Sequence, residues 1–189
     1  MAKISVHLRF IEKFLFRFDS CFSTANQRSV FRKLIYAMFD DYKRMPLAAI
    51  ARNTDMNYQK LQFFFSESRW NVKELNDIRL RIIQGQRTTR AYHNGVLAID
   101  DTAVPKPYAE KTEGAQFQHC GTLGRQENCN IAVASCFVSP TKHFPVDFKS
   151  YLPITTPNPK DFKSKLDLAK ELIAEAVEKG IPFSAVVVD

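Results

Sequence analysis

The sequence lacks a long apolar segment and a regular arrangement of cysteines. Charged residues interrupt its Phe-rich amino terminus, so this region is neither a signal peptide nor a membrane span; they are Arg9, Glu12, Lys13, Arg17 and Asp19. Four cysteines are spread over 189 residues without the pattern of a disulfide framework. These absences predict a soluble, cytoplasmic protein that has no membrane partner.

The cysteines also lack the spacing of a zinc site. Cys120 and Cys129 are separated by eight residues, with His119 as the one nearby imidazole. Compact zinc motifs place two to four residues between paired ligands. We therefore expect thiols that are buried or lie in loops.

The composition supports a folded core and an uneven distribution of charge. Hydrophobic residues make up 45% of the chain and include 16 Phe, which excludes wholesale disorder. Residues 1–94 carry 17 Lys and Arg against 8 Asp and Glu, whereas residues 95–189 carry 10 against 12. A basic front half and a mildly acidic back half suggest a polyanion-binding module ahead of a metal-binding one. The alternative is a basic surface without a partner.

The front half is predicted to be helical. Apolar residues recur at helical spacing over about 3–20 and 25–43, and a short third helix covers Leu47 to Arg52. Residues 46–66 then indicate helix, polar turn and helix, which is typical of a helix-turn-helix whose second helix enters a DNA groove. That helix would present four side chains to DNA: Tyr58, Gln59, Lys60 and Gln62. An ordinary helical hairpin is the alternative.

Two apolar segments of the back half end in acids. Gly95 opens the apolar run 96–99, which Asp100 and Asp101 follow directly, and the run 185–188 precedes Asp189. Two such strands side by side would bring carboxylates together at one end of a sheet, where a divalent cation is their natural partner. This is the core of a two-metal phosphoryl-transfer site. An acid after a strand can instead be a turn residue or helix cap.

Between these segments we predict an exposed loop or ragged hairpin at 105–127, since Pro105 and Pro107 cannot continue a central strand. Strands at 130–138 and 143–152, a helix at about 161–179 and a last strand at 184–189 follow. Four side chains of the loop are expected to contact phosphates near the acids: Lys106, Lys111, His119 and Arg125.

The two most distinctive segments resemble DDE-type transposases of bacterial insertion sequences, in the branch of DDE superfamily endonucleases. They are Ile99-Asp-Asp-Thr-Ala-Val-Pro-Lys106 and Gln118-His-Cys-Gly-Thr-Leu-Gly-Arg-Gln-Glu-Asn-Cys-Asn-Ile-Ala-Val133. The resemblance runs from about residue 30 to the end. It implies an α+β or α/β chain, with a helical DNA-binding domain at 1–90 and the first half of a ribonuclease H-like catalytic domain, β-β-β-α-β, at 91–189.

The resemblance also implies the site and the reaction. Asp101 and Asp189 correspond to the first two catalytic acids, as ligands of two Mg²⁺ or Mn²⁺ ions that support DNA strand cleavage and strand transfer. Asp100 is the weaker candidate, because adjacent strand residues face opposite ways. The third acid, a Glu farther downstream, has no position here, so the chain looks truncated and is expected to be inactive alone.

The expected partners are DNA, as terminal inverted repeats and target, together with a second copy or a full-length transposase. The alternative function is a non-catalytic fragment that binds element ends or modulates the full enzyme.

Overall fold

The computed structural model describes residues 5–39, 46–110, 112–153 and 162–188. The chain divides into two compact units, Met1–Arg79 and Leu80–Asp189. The division falls eleven residues before the expected domain boundary between residues 90 and 91. No helix within the described ranges is both long and apolar enough to cross a membrane.

The first unit is helical. Its elements are α1 (Ser5–Leu15), a 3₁₀ helix (Phe16–Cys21), α2 (Ala25–Met38), α3 (Leu47–Asn53), α4 (Tyr58–Ser66) and the start of α5 (Val72–Gln84). The first predicted helix is therefore shorter than expected, because its last turns tighten into the 3₁₀ form from Phe16. The second ends at Met38, with Phe39 as its C-cap, and residues 40–43 of its predicted range lie outside the described residues.

Stacked aromatic rings form the centre of this unit. Phe64 and Trp70 stack with ring centroids 5.6 Å apart, and Phe22 lies 4.8 Å from Phe31. The indole N–H of Trp70 donates to the carbonyl oxygen of Phe64 at 3.3 Å. An indole that packs among aromatic rings needs such a partner, and Trp70, half-buried, finds it on the backbone of α4.

The second unit contains the end of α5 and a five-stranded mixed sheet with one further described helix. Its elements are β1 (Val96–Pro105), β2 (Gln116–Cys120), β3 (Arg125–Val138), β4 (His143–Tyr151), α6 (Lys165–Glu178) and β5 (Ala185–Val188). β3 pairs antiparallel with β1, β2 and β4, and β5 pairs parallel with β1. This mixed α/β architecture is compatible with the expected ribonuclease H-like fold.

Two strands differ from the prediction. β1 was expected to end at Ile99 but continues to Pro105, because all ten of its residues pair with the long strand β3. The expected loop or ragged hairpin at 105–127 contains β2, which pairs with the first residues of β3. The hairpin alternative is therefore confirmed, and it adds a strand to the predicted order.

α6 packs on one face of this sheet. Leu97, Ile99 and Phe137 are buried there, and they pack against four buried side chains of the helix: Leu168, Ala169, Leu172 and Ala176. Gly95 allows the close approach of Phe137, since a Cβ at position 95 would lie 2.3 Å from that ring.

The opposite face carries apolar side chains that remain exposed. Alternation along the strands and the register place five of them there, each at least 39% exposed: Val104, Phe117, Val138, Phe148 and Val187. We call this side of the sheet the open face and the other the α6 face. Within the described ranges, the sheet is thus covered by helix on one side.

Candidate active site

The two adjacent acids lie within β1 rather than at its end. Asp101 pairs with Val133 and Asp100 with Ala134, so both are held by the β1–β3 ladder. Successive strand residues point to opposite faces. Asp101 therefore shares the α6 face with Leu97 and Ile99, whereas Asp100 lies on the open face.

Asp101 carries an ion pair with the first residue of α6. The Lys165 ammonium contacts Asp101 Oδ2, and the side chains are 43% and 37% exposed. The same ammonium lies 5.7 Å from the centre of the Tyr151 ring. A partly exposed carboxylate of β1 thus already holds a cation.

A second group of charges lies on the α6 face in the same row as Asp101, where a row means the residues that pair across neighbouring strands. Val133 pairs with Lys149 of β4, whose ammonium is 3.3 Å from Glu171 and 2.7 Å from Glu175. Burial alone would lower the pKa of Lys149, but its hydrogen bonds to these carboxylates outweigh burial and raise the pKa. The row therefore runs from an ion-paired lysine across Val133 to Asp101.

Asp100 is directed toward the β5 side of β1. The Lys106 N–H donates to the Asn128 carbonyl at 2.7 Å, which shows that the even-numbered residues of β1 form their backbone hydrogen bonds with β3. The N–H groups of the odd-numbered residues therefore point toward β5. Asp100 Oδ1 accepts a hydrogen bond from the Asp101 N–H at 2.7 Å. Its carboxylate consequently lies over the edge that β5 occupies.

The carboxyl end of β5 lies beside the part of β1 that precedes the two acids. It pairs with β1 from Val96 opposite Ala185 to Ile99 opposite Val188. The next residue of β1 is an acid, and the residue after Val188 is Asp189, which lies outside the described residues.

The hairpin formed by β2 and the start of β3 is tied to β1 close to the acids. Thr122 Oγ1 donates to the Ala103 carbonyl at 2.5 Å. Three of the predicted phosphate contacts, Lys106, His119 and Arg125, are exposed, and Arg125 lies 3.0 Å from Glu127. Lys111 lies outside the described residues.

The thiols of this region are buried. Cys120 and Cys129 are fully enclosed with Ala103 and Ile131, and burial, with the neighbouring Cys120, raises the pKa of Cys129. Within the described part of the chain, no three His, Cys, Asp or Glu side chains form a group that could hold a metal. The expectation of buried thiols is confirmed for this pair.

α3 and α4 flank a four-residue turn, 54–57, in which Asp55 has a φ of 48°. The Asn57 side chain caps α4 by accepting from the Gln59 N–H at 2.7 Å. Leu61 and Phe64 are buried. The four predicted DNA-contacting side chains of this helix are all exposed: Tyr58, Gln59, Lys60 and Gln62.

A model of the DDE superfamily endonucleases matches residues 17–189. The chain belongs to the DDE endonuclease superfamily. This confirms the resemblance carried by its motifs. The chain is also 28% identical over 184 residues to a probable transposase for insertion sequence element IS701 from Microchaete diplosiphon. The match covers 96% of this chain and 47% of that relative, so the chain spans about half the relative's length. No solved structure matches it significantly.

One contact at the candidate site was not expected from the sequence, namely that of Lys165 with Asp101. The helix was predicted to begin at about Asp161, but it begins at Lys165, where Ser164 and Asp167 form a capping box. A Ser followed three residues later by an acid is a readable signal for a helix start. Applied here, that signal places Lys165 in the first turn, but the sequence gives no indication that this turn faces β1.

Proposed function

We propose that this chain is the amino-terminal part of an insertion-sequence transposase, a metal-dependent enzyme that cleaves DNA strands and joins them to a target. The register of β5 on β1 carries the proposal. The parallel pairing ends with Ile99 opposite Val188. Asp100 and Asp101 follow the first of these residues in the chain, and Asp189 follows the second. Membership in the DDE endonuclease superfamily and the similarity to a probable transposase support it.

The side chains at this edge suit a divalent cation. Asp101 offers a partly exposed carboxylate that already attracts an ammonium, and Mg²⁺ and Mn²⁺ prefer such oxygen ligands. We assign Asp101 and Asp189 as the ligands, the latter from its place directly after Val188. Asp100 lies on the open face, away from Asp101, and is the less favoured ligand.

In this proposal the chain's residues bind and orient the reactants. Asp101 and Asp189 would hold the cation. The hairpin anchored through Thr122 presents exposed His119 and Arg125 to the phosphates near β1. Lys106, directly after β1, and Lys111 are proposed to contact the same phosphates. When bound by these carboxylates, a divalent cation would supply the Lewis-acid chemistry that activates water or a 3′-hydroxyl and stabilises the leaving oxygen.

The exposed apolar side chains of the open face support the proposal that the active enzyme is longer than this chain. A sheet with exposed apolar side chains on one side, such as Phe117 at 72% and Phe148 at 63%, ordinarily has that side covered. Together with the 47% coverage of the relative, this supports the proposal that further chain completes the catalytic unit and supplies the third acid. We expect no strand nicking by this chain in Mn²⁺, and robust turnover would contradict the proposal of a truncated enzyme.

The helical residues within 1–90 are proposed to bind DNA through α4. Its exposed side chains project from a helix that Leu61 and Phe64 anchor, and residues 1–94 carry a large excess of positive charge. This combination suits a helix that enters a groove while other cations contact the backbone.

Fluorescence anisotropy with a duplex from the ends of the encoding element tests this assignment. We expect Lys60→Ala to weaken binding several-fold and to reduce the salt dependence by about one phosphate contact. Lys73→Ala is the matched control, because Lys73 is 83% exposed on α5 and pairs with Asp77. Equal affinities for the parent chain and both variants would contradict a DNA-binding role of α4.

A DNA-binding fragment without catalysis is the second candidate, favoured by the chain's spanning half of its relative. Such a fragment would compete with, or join, the full transposase at element ends. DNA binding that persists in Asp101→Ala, together with no metal binding by the parent chain, would favour this function over the first.

A further inference from the structure

The contact between α6 and the acids of β1 is made by one side chain. The ammonium of Lys165 reaches Asp101, whereas Lys149 and Lys179 join α6 to β4 through Glu171, Glu175 and Asp147. Among the ion pairs of the described residues, that of Lys165 is the one that links α6 to β1. Lys165 therefore directly contacts a proposed ligand of the candidate site.

Lys165 occupies an unfavourable place in its own helix. It is the first residue of α6, directly after the N-cap Ser164. The amino end of a helix carries a partial positive charge, so a lysine there is destabilising and an acid is preferred. Asp167 follows that preference and Lys165 does not. The stability of α6 therefore does not account for a lysine at this position.

The ammonium and a divalent cation would compete for one carboxylate. Lys165 contacts Oδ2 of Asp101, and a cation bound to that carboxylate would repel an ammonium held within a few ångströms. We propose that Lys165 is the resident counter-ion of Asp101, which a divalent cation must displace, and that it thereby sets the metal affinity of the site. This inference rests on the proposed role of Asp101 as a metal ligand.

Displacement requires no movement of the backbone. The Lys165 side chain is 43% exposed, so its flexible stem can swing the ammonium from Asp101 into solvent. The exchange therefore replaces a weak, partly exposed ion pair with a stronger carboxylate–metal contact. Lys165 acts as a positioning residue, because it affects the site through Asp101.

The test is a Mn²⁺ titration of the whole chain, followed by electron paramagnetic resonance of the free ion. We expect Lys165→Met to bind Mn²⁺ about two- to fivefold more tightly than the parent, the range for removing a partly exposed ion pair. Lys165→Arg keeps the charge and should retain the parent affinity. The matched control is Lys170→Met, since Lys170 is 77% exposed on the same helix and pairs with Asp167.

The outcomes separate this inference from the proposed function. Equal affinities in the parent and Lys165→Met, with binding lost in Asp101→Asn, would overturn the counter-ion role and leave the metal site intact. No Mn²⁺ binding by any variant would overturn both. Lys165→Gln provides a second neutral side chain, so that a folding defect in the Met variant, monitored by circular dichroism, does not decide the result.

Discussion

The two faces of the sheet differ most clearly at the level of the acids. On the α6 face, the row across three strands is Lys149, Val133 and Asp101, and ion pairs to α6 satisfy both charged ends. On the open face, the corresponding row is Phe148, Ala134 and Asp100, with Phe148 63% exposed. Two neighbouring acids of one strand therefore have very different surroundings.

The two faces therefore differ in what they contribute: the α6 face stabilises the unit, whereas the open face is available to a partner. The α6 face holds the buried side chains that stabilise the unit, whereas the open face gains little from folding of the described residues alone. We therefore expect substitutions of buried side chains on the α6 face to lower the free energy of unfolding strongly. Substitutions on the open face should change it little.

The largest contrast is expected between Leu172→Ala and Phe148→Ala. Leu172 is fully buried against the sheet, so its truncation should lower the free energy of unfolding by about 2–5 kcal/mol. Phe148→Ala should change it by less than about 0.5 kcal/mol, since the ring is exposed. Urea denaturation of both variants measures the contrast, and similar losses would contradict the distinction between the faces.

A smaller effect is expected at the start of β1. Gly95→Ala would place a methyl group 2.3 Å from the Phe137 ring on the α6 face, at an expected cost of about 1–3 kcal/mol of unfolding free energy. Gly121→Ala is the control, because a Cβ there meets nothing within 4 Å. Thermal unfolding of both should show a loss confined to Gly95→Ala. Equal midpoints would mean that Phe137 moves aside at no cost.

The smallest stability effect is expected at the start of α6. Ser164→Ala removes the N-cap and should cost about 1 kcal/mol at neutral pH. Hydrogen bonds from Ser164 hold the pKa of Asp167 below its usual range, so that carboxylate stabilises the fold above about pH 4 and the effect fades as pH falls through the lowered pKa. Denaturation near pH 7 and pH 3 should show the difference between parent and variant shrinking in acid. A constant difference would contradict the capping box.

The order of elements in the second unit could be read from the sequence because each carries its own pattern. Apolar runs predict β1, β3 and β5, and helical spacing predicts α6. The end of β1 could not be read in this way, since the strand continues past Ile99 only because β3 provides partners as far as Pro105. Pairing over such distances in sequence leaves no local signal in the strand itself.

As with the fold, only part of the candidate site could be predicted from the sequence. Two apolar runs that each precede acids predict that the acids approach each other. The parallel register of β5 on β1 brings the two runs together as far as Ile99 and Val188, and the approach of the acids themselves stays a prediction. The contact of Lys165 with Asp101 joins residues 64 positions apart. It depends on how α6 packs on the sheet, which the helical pattern alone does not specify.

The most direct test of the account is calorimetric titration of Mg²⁺ into the parent chain and three variants, Asp101→Asn, Asp189→Asn and Asp100→Asn. If the ion is held by Asp101 and Asp189, the first two variants lose binding and Asp100→Asn retains it. Loss in Asp100→Asn with retention in Asp101→Asn would place the ion on the open face, where Asp100 faces the edge that β5 occupies. That result, or no binding by the parent chain, would contradict the proposed site.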